Sequence, residues 1–305
     1  MMKFHFSNVD FSSSTGPNTF ANRLAKELAS MGNSLVGHND PYDMFIAFIE
    51  PATVPRSGCR FIQRLDGIWF KPDQFETHNR LIKHAYDIAD HVIWQSEFDR
   101  KMSEFHWGSR AGTVIHNGIE LCRTHIADPN IQKLREKYDK VFVCSASWHR
   151  QKRLQENTEL FLLLKKQYPS SCLIVMGSNP DYVIQDPDVY YTELLSHDMC
   201  LQLYAAADWM IHLAWLDHCP NVVIEALSQN CPVICTDSGG TKEIVKQNGI
   251  IIPESKQYNY ELTDYDNPYD LDLNVMDLPE IKVDNAYLDI KKIAQKYIGA
   301  CQEVM

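Results

Sequence analysis

The chain is 305 residues long, 45% hydrophobic, 23% charged and 11% aromatic, with a formal net charge of −11. That length suits two domains of roughly 150 residues each, and the composition is that of a folded protein, not a disordered one. The acidic balance argues against a general nucleic-acid binder, which needs clustered Lys and Arg, but leaves room for a local anion site.

The start, Met1-Met2-Lys3-Phe4-His5-Phe6-Ser7-Asn8, lacks an apolar core of signal-peptide length. The longest apolar runs, such as residues 44–49, fall far short of the ~18 residues a membrane span needs. Nine cysteines are scattered without a CxxC, several inside apolar runs such as Val141-Phe142-Val143-Cys144, where a reduced thiol serves as a small core hydrophobe. The expectation is a reducing compartment, hence a cytoplasmic protein with no membrane span and at most peripheral membrane contact.

Short apolar runs alternate with helical patterns, the signature of parallel α/β layers. Residues 3–7 read as a strand, and 11–18 as a Ser/Gly/Pro loop. A helix follows with Phe20, Leu24, Leu28 and Met31 on one face and Gly32 as its stop. Strands are expected at 44–49, 60–65, 91–94 and 113–115, and helices at 73–90 and 97–107. A polar stretch, 126–139, then suggests a boundary. The alternation restarts with strands at 141–145, 172–176, 209–213, 233–235 and 250–252, and helices at 154–168, 197–207, 220–229 and 241–247. The expected division is a first domain over 1–130, a second over 131–283 and a tail over 284–305. Residues 254–284 carry nine acids against two lysines and no periodicity, which predicts a surface excursion partly ordered by its tyrosines. The tail returns to helical spacing (Ile290, Ile293, Ala294, Tyr297, Cys301) and needs an apolar partner.

Neither GxGxxG nor GxxxxGK[ST] occurs, which speaks against a dinucleotide oxidoreductase and a P-loop enzyme. The most informative block is Asp217-His218-Cys219-Pro220-Asn221-Val222-Val223-Ile224-Glu225, followed by Cys231-Pro232-Val233-Ile234 and Gly239-Gly240. Pro220 suits a first helical turn, because its missing N–H has no partner there anyway. The amides of Asn221 and Val222 would then point at whatever precedes the helix, a natural place for a diphosphate. Glu225, a turn further on, could accept bonds from vicinal hydroxyls; a plain amphipathic helix with a solvated Glu would show the same residues. The pairs Asp264/Asp266 and Asp270/Asp272 imitate DxD metal motifs but lie in an acidic stretch where such spacing arises by chance. His212, His218 and Cys219 lack zinc-site spacing. No metal site is expected.

Taken in order, these segments resemble the retaining GT-B glycosyltransferases of family 4 over nearly the whole chain. The matching pieces are Ser13-Ser14-Thr15-Gly16-Pro17-Asn18-Thr19-Phe20, Ser96-Glu97-Phe98, Val114-Ile115-His116-Asn117-Gly118-Ile119-Glu120, the segments 145–152, 173–177 and 203–208, and the Asp217-x7-Glu225 pair. The resemblance implies an α/β protein of GT-B architecture: two Rossmann-like domains, acceptor-side first and donor-binding second, with a C-terminal helix crossing back to the first. It implies a hexose moved from a nucleotide sugar, as substrate and not cofactor, to an acceptor hydroxyl on a glycan, lipid or protein-linked sugar.

Glu225 would hold the donor's ribose and Asp217 its sugar, Asp217 departing from the family's usual Glu. Lys152 in Trp148-His149-Arg150-Gln151-Lys152-Arg153 matches the lysine that neutralises the leaving diphosphate. The family's earlier Arg is missing at Ala146 and Ser147; Arg150 or Arg153 could compensate. Asp66 stands where the family commonly has a functional His, and could orient the sugar or take the acceptor proton, or simply form an Asp-Gly turn with Gly67. Gly16 could let backbone approach the phosphates or permit a tight turn. Three alternatives stay open: a catalytically silent nucleotide-sugar binder, a nucleotide-sugar epimerase of similar fold, and an NAD-binding oxidoreductase.

Overall fold

The computed structural model describes residues 1–13 and 15–305; Ser14, part of one matching segment, lies outside the described residues. The chain forms two compact units. The first comprises Met1–Glu120, Asn259–Asp264 and Tyr287–Met305, and the second Leu121–Tyr258 and Tyr265–Ala286.

The first unit contains, in order, β1 (Lys3–Ser7), α1 (Gly16–Ser30), β2 (Ser34–Leu35), β3 (Met44–Phe48), β4 (Arg60–Leu65), α2 (Phe75–His78), α3 (Arg80–Ile88), β5 (His91–Trp94), α4 (Glu97–Trp107) and β6 (Gly112–Val114). The strands form one parallel sheet in the order β2-β1-β3-β4-β5-β6. β3 is buried at every position, as a central strand covered on both faces must be. The helix expected over 73–90 is interrupted at Asn79. This buried amide accepts from the Trp69 N–H (2.9 Å) and donates to the Trp69 carbonyl (2.6 Å), tying the preceding loop down at the break. Helix α1 begins at Gly16, inside the span expected to be loop, with Pro17 in its first turn.

The second unit contains α5 (Pro129–Lys137), β7 (Lys140–Ser145), α6 (Leu154–Gln167), β8 (Ser171–Met176), β9 (Val189–Tyr191), α7 (His197–Ala206), β10 (Trp209–His212), α8 (Asn221–Ser228), β11 (Val233–Thr236), α9 (Thr241–Val245) and β12 (Gly249–Ile252). Its strands are again parallel, in the order β12-β11-β10-β7-β8-β9, so connectivity reverses between the neighbours β7 and β10. The division falls after Glu120, ten residues before the expected boundary. Gln229 accepts from the Thr124 N–H and donates to the Cys122 carbonyl, while Gln202 accepts from the amides of Ala127 and Asp128. The stretch 121–128 is therefore bound to α7 and α8, and residues 129–137, read as linker, form a helix capped by Asp128.

The acidic stretch is more than a surface excursion. Leu271, Leu273, Met276, Leu278 and Ile281 pack on the core of the second unit, and the Tyr269 ring lies 5.0 Å from that of Trp215. Residues 259–264, however, belong to the first unit: the Tyr260 carbonyl bonds His106, Thr263 donates to the Phe70 carbonyl, and Lys71 pairs with Asp264.

The tail helix α10 (Ile290–Glu303) supplies the missing partner for α1. Ile290, Ile293, Ala294, Tyr297 and Cys301 are buried with Phe20, Ala21, Leu24 and Leu28 in one cluster. The Asn117-Gly118-Ile119 segment anchors it: Ile119 donates to the Leu288 carbonyl (2.9 Å) and accepts from Ile290 (3.0 Å). A β-carbon on Gly118 would come within 2.7 Å of Ile293 and 3.0 Å of the Leu288 carbonyl. Gly118→Ala should therefore push α10 away and lower unfolding stability by about 1–3 kcal/mol, a loss read from urea denaturation at pH 7.

Candidate active site

In an open parallel sheet, ligands gather beyond the C-terminal strand ends where the order reverses. In the second unit that place lies between β7 and β10, and the loops leaving those strands carry the residues singled out in the sequence. After β7, Trp148 donates its indole N–H to the Met176 carbonyl (3.0 Å), a single 3-10 turn spans Arg150–Lys152, and Arg153 takes a left-handed conformation (φ 54°). Gly177, after β8, is also left-handed (φ 113°), and a side chain there would run into the Ala146 carbonyl.

Lys152 Nζ donates to Asp217 Oδ2 at 2.5 Å, and His212 Nε2 stands 3.4 Å from the same oxygen. The lysine side chain is 20% exposed and the aspartate 13%, so the pair is largely withdrawn from water. Burial alone would raise the Asp217 pKa; the Lys152 ammonium and the contact with His212 outweigh it and hold the carboxyl well below its ordinary value.

The backbone around this pair is braced. Gln151 and Trp215 exchange bonds, the Trp215 N–H going to the Gln151 carbonyl (2.9 Å) and the Gln151 amide to the Trp215 carbonyl (3.0 Å). Asn157, buried on α6, donates to the carbonyls of Lys152 and Arg153 and accepts from the Leu213 N–H. Leu216 sits at φ 53°, a costly conformation for a large side chain. It is held by the Ser238 hydroxyl, which accepts its N–H, and by Gly240, whose N–H bonds the Asp217 carbonyl (2.8 Å). Gly239 (φ 63°) must be glycine here, since a β-carbon would collide with the Asp217 backbone.

Helix α8 starts four residues after Asp217. Pro220 occupies its N-cap instead of the expected first helical position, and its carbonyl accepts from the amides of Val223 and Ile224. The first-turn amides of Asn221 and Val222 come before the helix's own ladder of bonds begins. Glu225 is buried on α8, with His197 Nε2 of α7 at 3.2 Å.

The two arginines weighed as compensating cations are both engaged. Arg150 makes a paired contact with Glu156 on α6 (2.6 and 2.8 Å). Arg153 is fully buried, with both guanidinium nitrogens on Glu254 (2.7 and 2.9 Å) and further bonds to the carbonyls of Tyr269 and Leu213. Lys152 and Asp217 thus meet across two loops, Asn221, Val222 and Glu225 lie on the helix that begins four residues after Asp217, and Arg150 is on the first loop. Sequence reasoning missed Gln151, Asn157, His197 and Glu254, whose roles depend on partners 28 to 101 residues away.

The other two candidates belong to the first unit. Gly16 opens α1 after β1. Asp66 follows β4 and is engaged by Arg64, a buried guanidinium that also donates to Asn117 Oδ1 (2.6 Å) and lies over the rings of Phe20 (4.5 Å) and Phe48 (5.0 Å). Gly67 has φ 117°, a backbone conformation that favours glycine. Among the described residues, no three or more His, Cys, Asp or Glu side chains gather as metal ligands, and no helix is long and apolar enough to cross a membrane.

Comparison with known proteins bears on the same region. Residues 139–262, which include Lys152, Asp217 and Glu225, match the glycosyl transferases group 1 family. No curated protein matches the sequence. The fold is similar to that of HepE from Anabaena, solved with UDP-glucose (18% identity, TM-score 0.63, 100% of this chain and 98% of that one). It is also similar to sucrose-phosphate synthase from Thermosynechococcus elongatus (14%, 0.64, 100% and 95%) and to AviGT4, a glycosyltransferase involved in avilamycin A biosynthesis (13%, 0.64, 100% and 98%). The architecture is therefore GT-B: two Rossmann-like α/β units with parallel sheets.

The Lys152–Asp217 pair has a measurable signature. Because folding lowers the Asp217 pKa from 3.8, the unfolded chain takes up the proton more readily; the stabilisation is complete above that value and fades as the pH falls below it. Lys152→Ala should lose about 1–3 kcal/mol of stability at pH 7 by stranding the carboxylate. The gap to the wild-type chain should narrow below pH ~4, as measured by urea unfolding across pH 3–7.

Proposed function

We propose that this protein is a retaining, metal-independent hexosyltransferase that uses a nucleotide sugar as donor. The observation that carries this reading is the Lys152 ammonium fixed against Asp217 at the C-terminal edge of β7 and β10, with α8 beginning four residues further on. A cation and a helix start at a strand-order reversal favour a pyrophosphate. The ordered resemblance to family 4 and the family match over residues 139–262 support the same reading.

In this mechanism the acceptor oxygen bonds the anomeric carbon on the face from which the diphosphate oxygen departs, and the acceptor proton passes to that oxygen. Lys152 stabilises the charge developing there, the work metal ions do in other transferases. Asp217 holds the sugar's hydroxyls and Glu225 the ribose; the amides of Asn221 and Val222 face the phosphates. Arg150 supports the donor-binding loop through Glu156, Asp66 orients the reacting sugar, and Gly16 lets backbone approach the donor's phosphates. The acceptor is a glycan, lipid-linked or protein-linked hydroxyl, nucleic acid is no partner, and the reaction takes place in the cytoplasm without a cofactor.

One observation favours a second reading, a binder that transfers nothing: the Asp66 carboxylate is already engaged by Arg64, which leaves it less available to orient the reacting sugar. The two readings separate experimentally. A thermal-shift panel of UDP-, GDP- and ADP-sugars should show one donor that stabilises the protein, by about 2.7 kcal/mol at a hundred times its Kd. Transfer or slow hydrolysis of that donor should fall about 100-fold or more in Lys152→Ala, and similarly in Glu225→Ala. Stabilisation without any donor consumption selects the silent binder; no stabilising nucleotide sugar at all would overturn both.

A further inference from the structure

Glu225 is reached by a second element that the reading above does not use. Helix α7 packs against α8, and its N-terminal residue His197 places Nε2 3.2 Å from Glu225 Oε1. A carboxylate can only accept hydrogen bonds, so this nitrogen carries the proton and donates. Cys200 and Tyr204 follow at helical spacing on the same helix, and the charge of Glu225 adds to burial in pushing both groups up, Cys200 to about 11.

Glutamate has three side-chain torsions, and freezing them when a ligand arrives would weaken binding. A carboxylate has about four acceptor positions over its two oxygens. The bond from His197 occupies one of these positions and biases the rotamer toward one in which the carboxylate can receive a vicinal diol. The imidazole is 53% exposed, so it can do this without being needed for the core.

We propose that His197 is a positioning residue for Glu225 and thereby sets the protein's preference for ribonucleotide over 2′-deoxyribonucleotide donors. This rests on the reading that Glu225 receives the donor's ribose. It implies that sugars carried on deoxynucleoside diphosphates, which lack the 2′-hydroxyl, are poor substrates.

The test uses isothermal titration of the full chain with UDP, dUDP, GDP and dGDP. The wild-type protein should bind the better ribonucleotide at least about tenfold more tightly than its deoxy counterpart. His197→Ala should lose most of that ratio by weakening the ribonucleotide while leaving the deoxynucleotide nearly unchanged. His197→Gln, which keeps an N–H donor, should restore it. A ratio unchanged in His197→Ala, or an equal loss for both nucleotides, overturns the assignment while leaving the transferase reading intact. If neither UDP nor GDP binds the wild-type chain, the donor-site reading falls, and the assignment falls with it.

Discussion

A carboxylate that is largely buried keeps its charge only if something nearby compensates it, and at Asp217 that is the ammonium of Lys152. The residues belong to different loops, 65 positions apart, so their contact fixes the β7 loop against the β10 loop. Most bracing interactions in the second unit serve that alignment. Asn157 holds the carbonyls of Lys152 and Arg153 and the amide of Leu213 with one side chain, spanning both loops from α6. The Arg153–Glu254 pair ties the same loop to the chain after β12. Neither withdrawn ion pair is a cheap source of stability, because removing charges from water offsets much of their attraction. What they contribute is a definite arrangement of charge at the strand edge.

The α/β alternation, most strands and the apolar faces of α1 and α10 were legible because they follow from local periodicity. What was not legible depended on contacts made across the chain. Asn79 has the appearance of an ordinary polar position within a helical stretch, and only its two bonds to Trp69 mark the break. Residues 129–137 looked like linker because their pattern is mostly polar, yet Asp128 and Pro129 form a recognisable helix start. The acidic stretch hid its packing residues because Leu271, Leu273, Met276, Leu278 and Ile281 follow neither a helical nor a strict strand period.

The candidate site was partly legible for the same reason. Lys152, Asp217 and Glu225 stand out in the sequence through their order and their positions after strands and at a helix start. Their environment was not: Arg150 and Arg153 have the same chemistry on paper, and what distinguishes them from the largely withdrawn lysine is that their carboxylate partners are Glu156 and Glu254 and not Asp217. Some motif residues also have structural duties. Asn117 receives the buried Arg64, Gly118 makes room for α10, and Ile119 bonds the chain entering that helix. Their presence in sequence order reports the architecture at least as directly as it reports chemistry.

Leu216 shows how far the loop geometry is specified. A left-handed leucine costs on the order of 1 kcal/mol or more relative to ordinary backbone, and a glycine would remove that cost. The leucine is retained in a fully buried position, where its side chain returns a comparable or larger amount through burial. The sharp turn it imposes directs the next residue, Asp217, toward Lys152, while Gly239 and Gly240 close against the other side of the backbone. A glycine at 216 would relieve the strain but free the loop to sample other turns, and the carboxylate would no longer be presented in one orientation. Strain and burial here act together: one selects the turn, the other makes it stable enough to hold a charge in place.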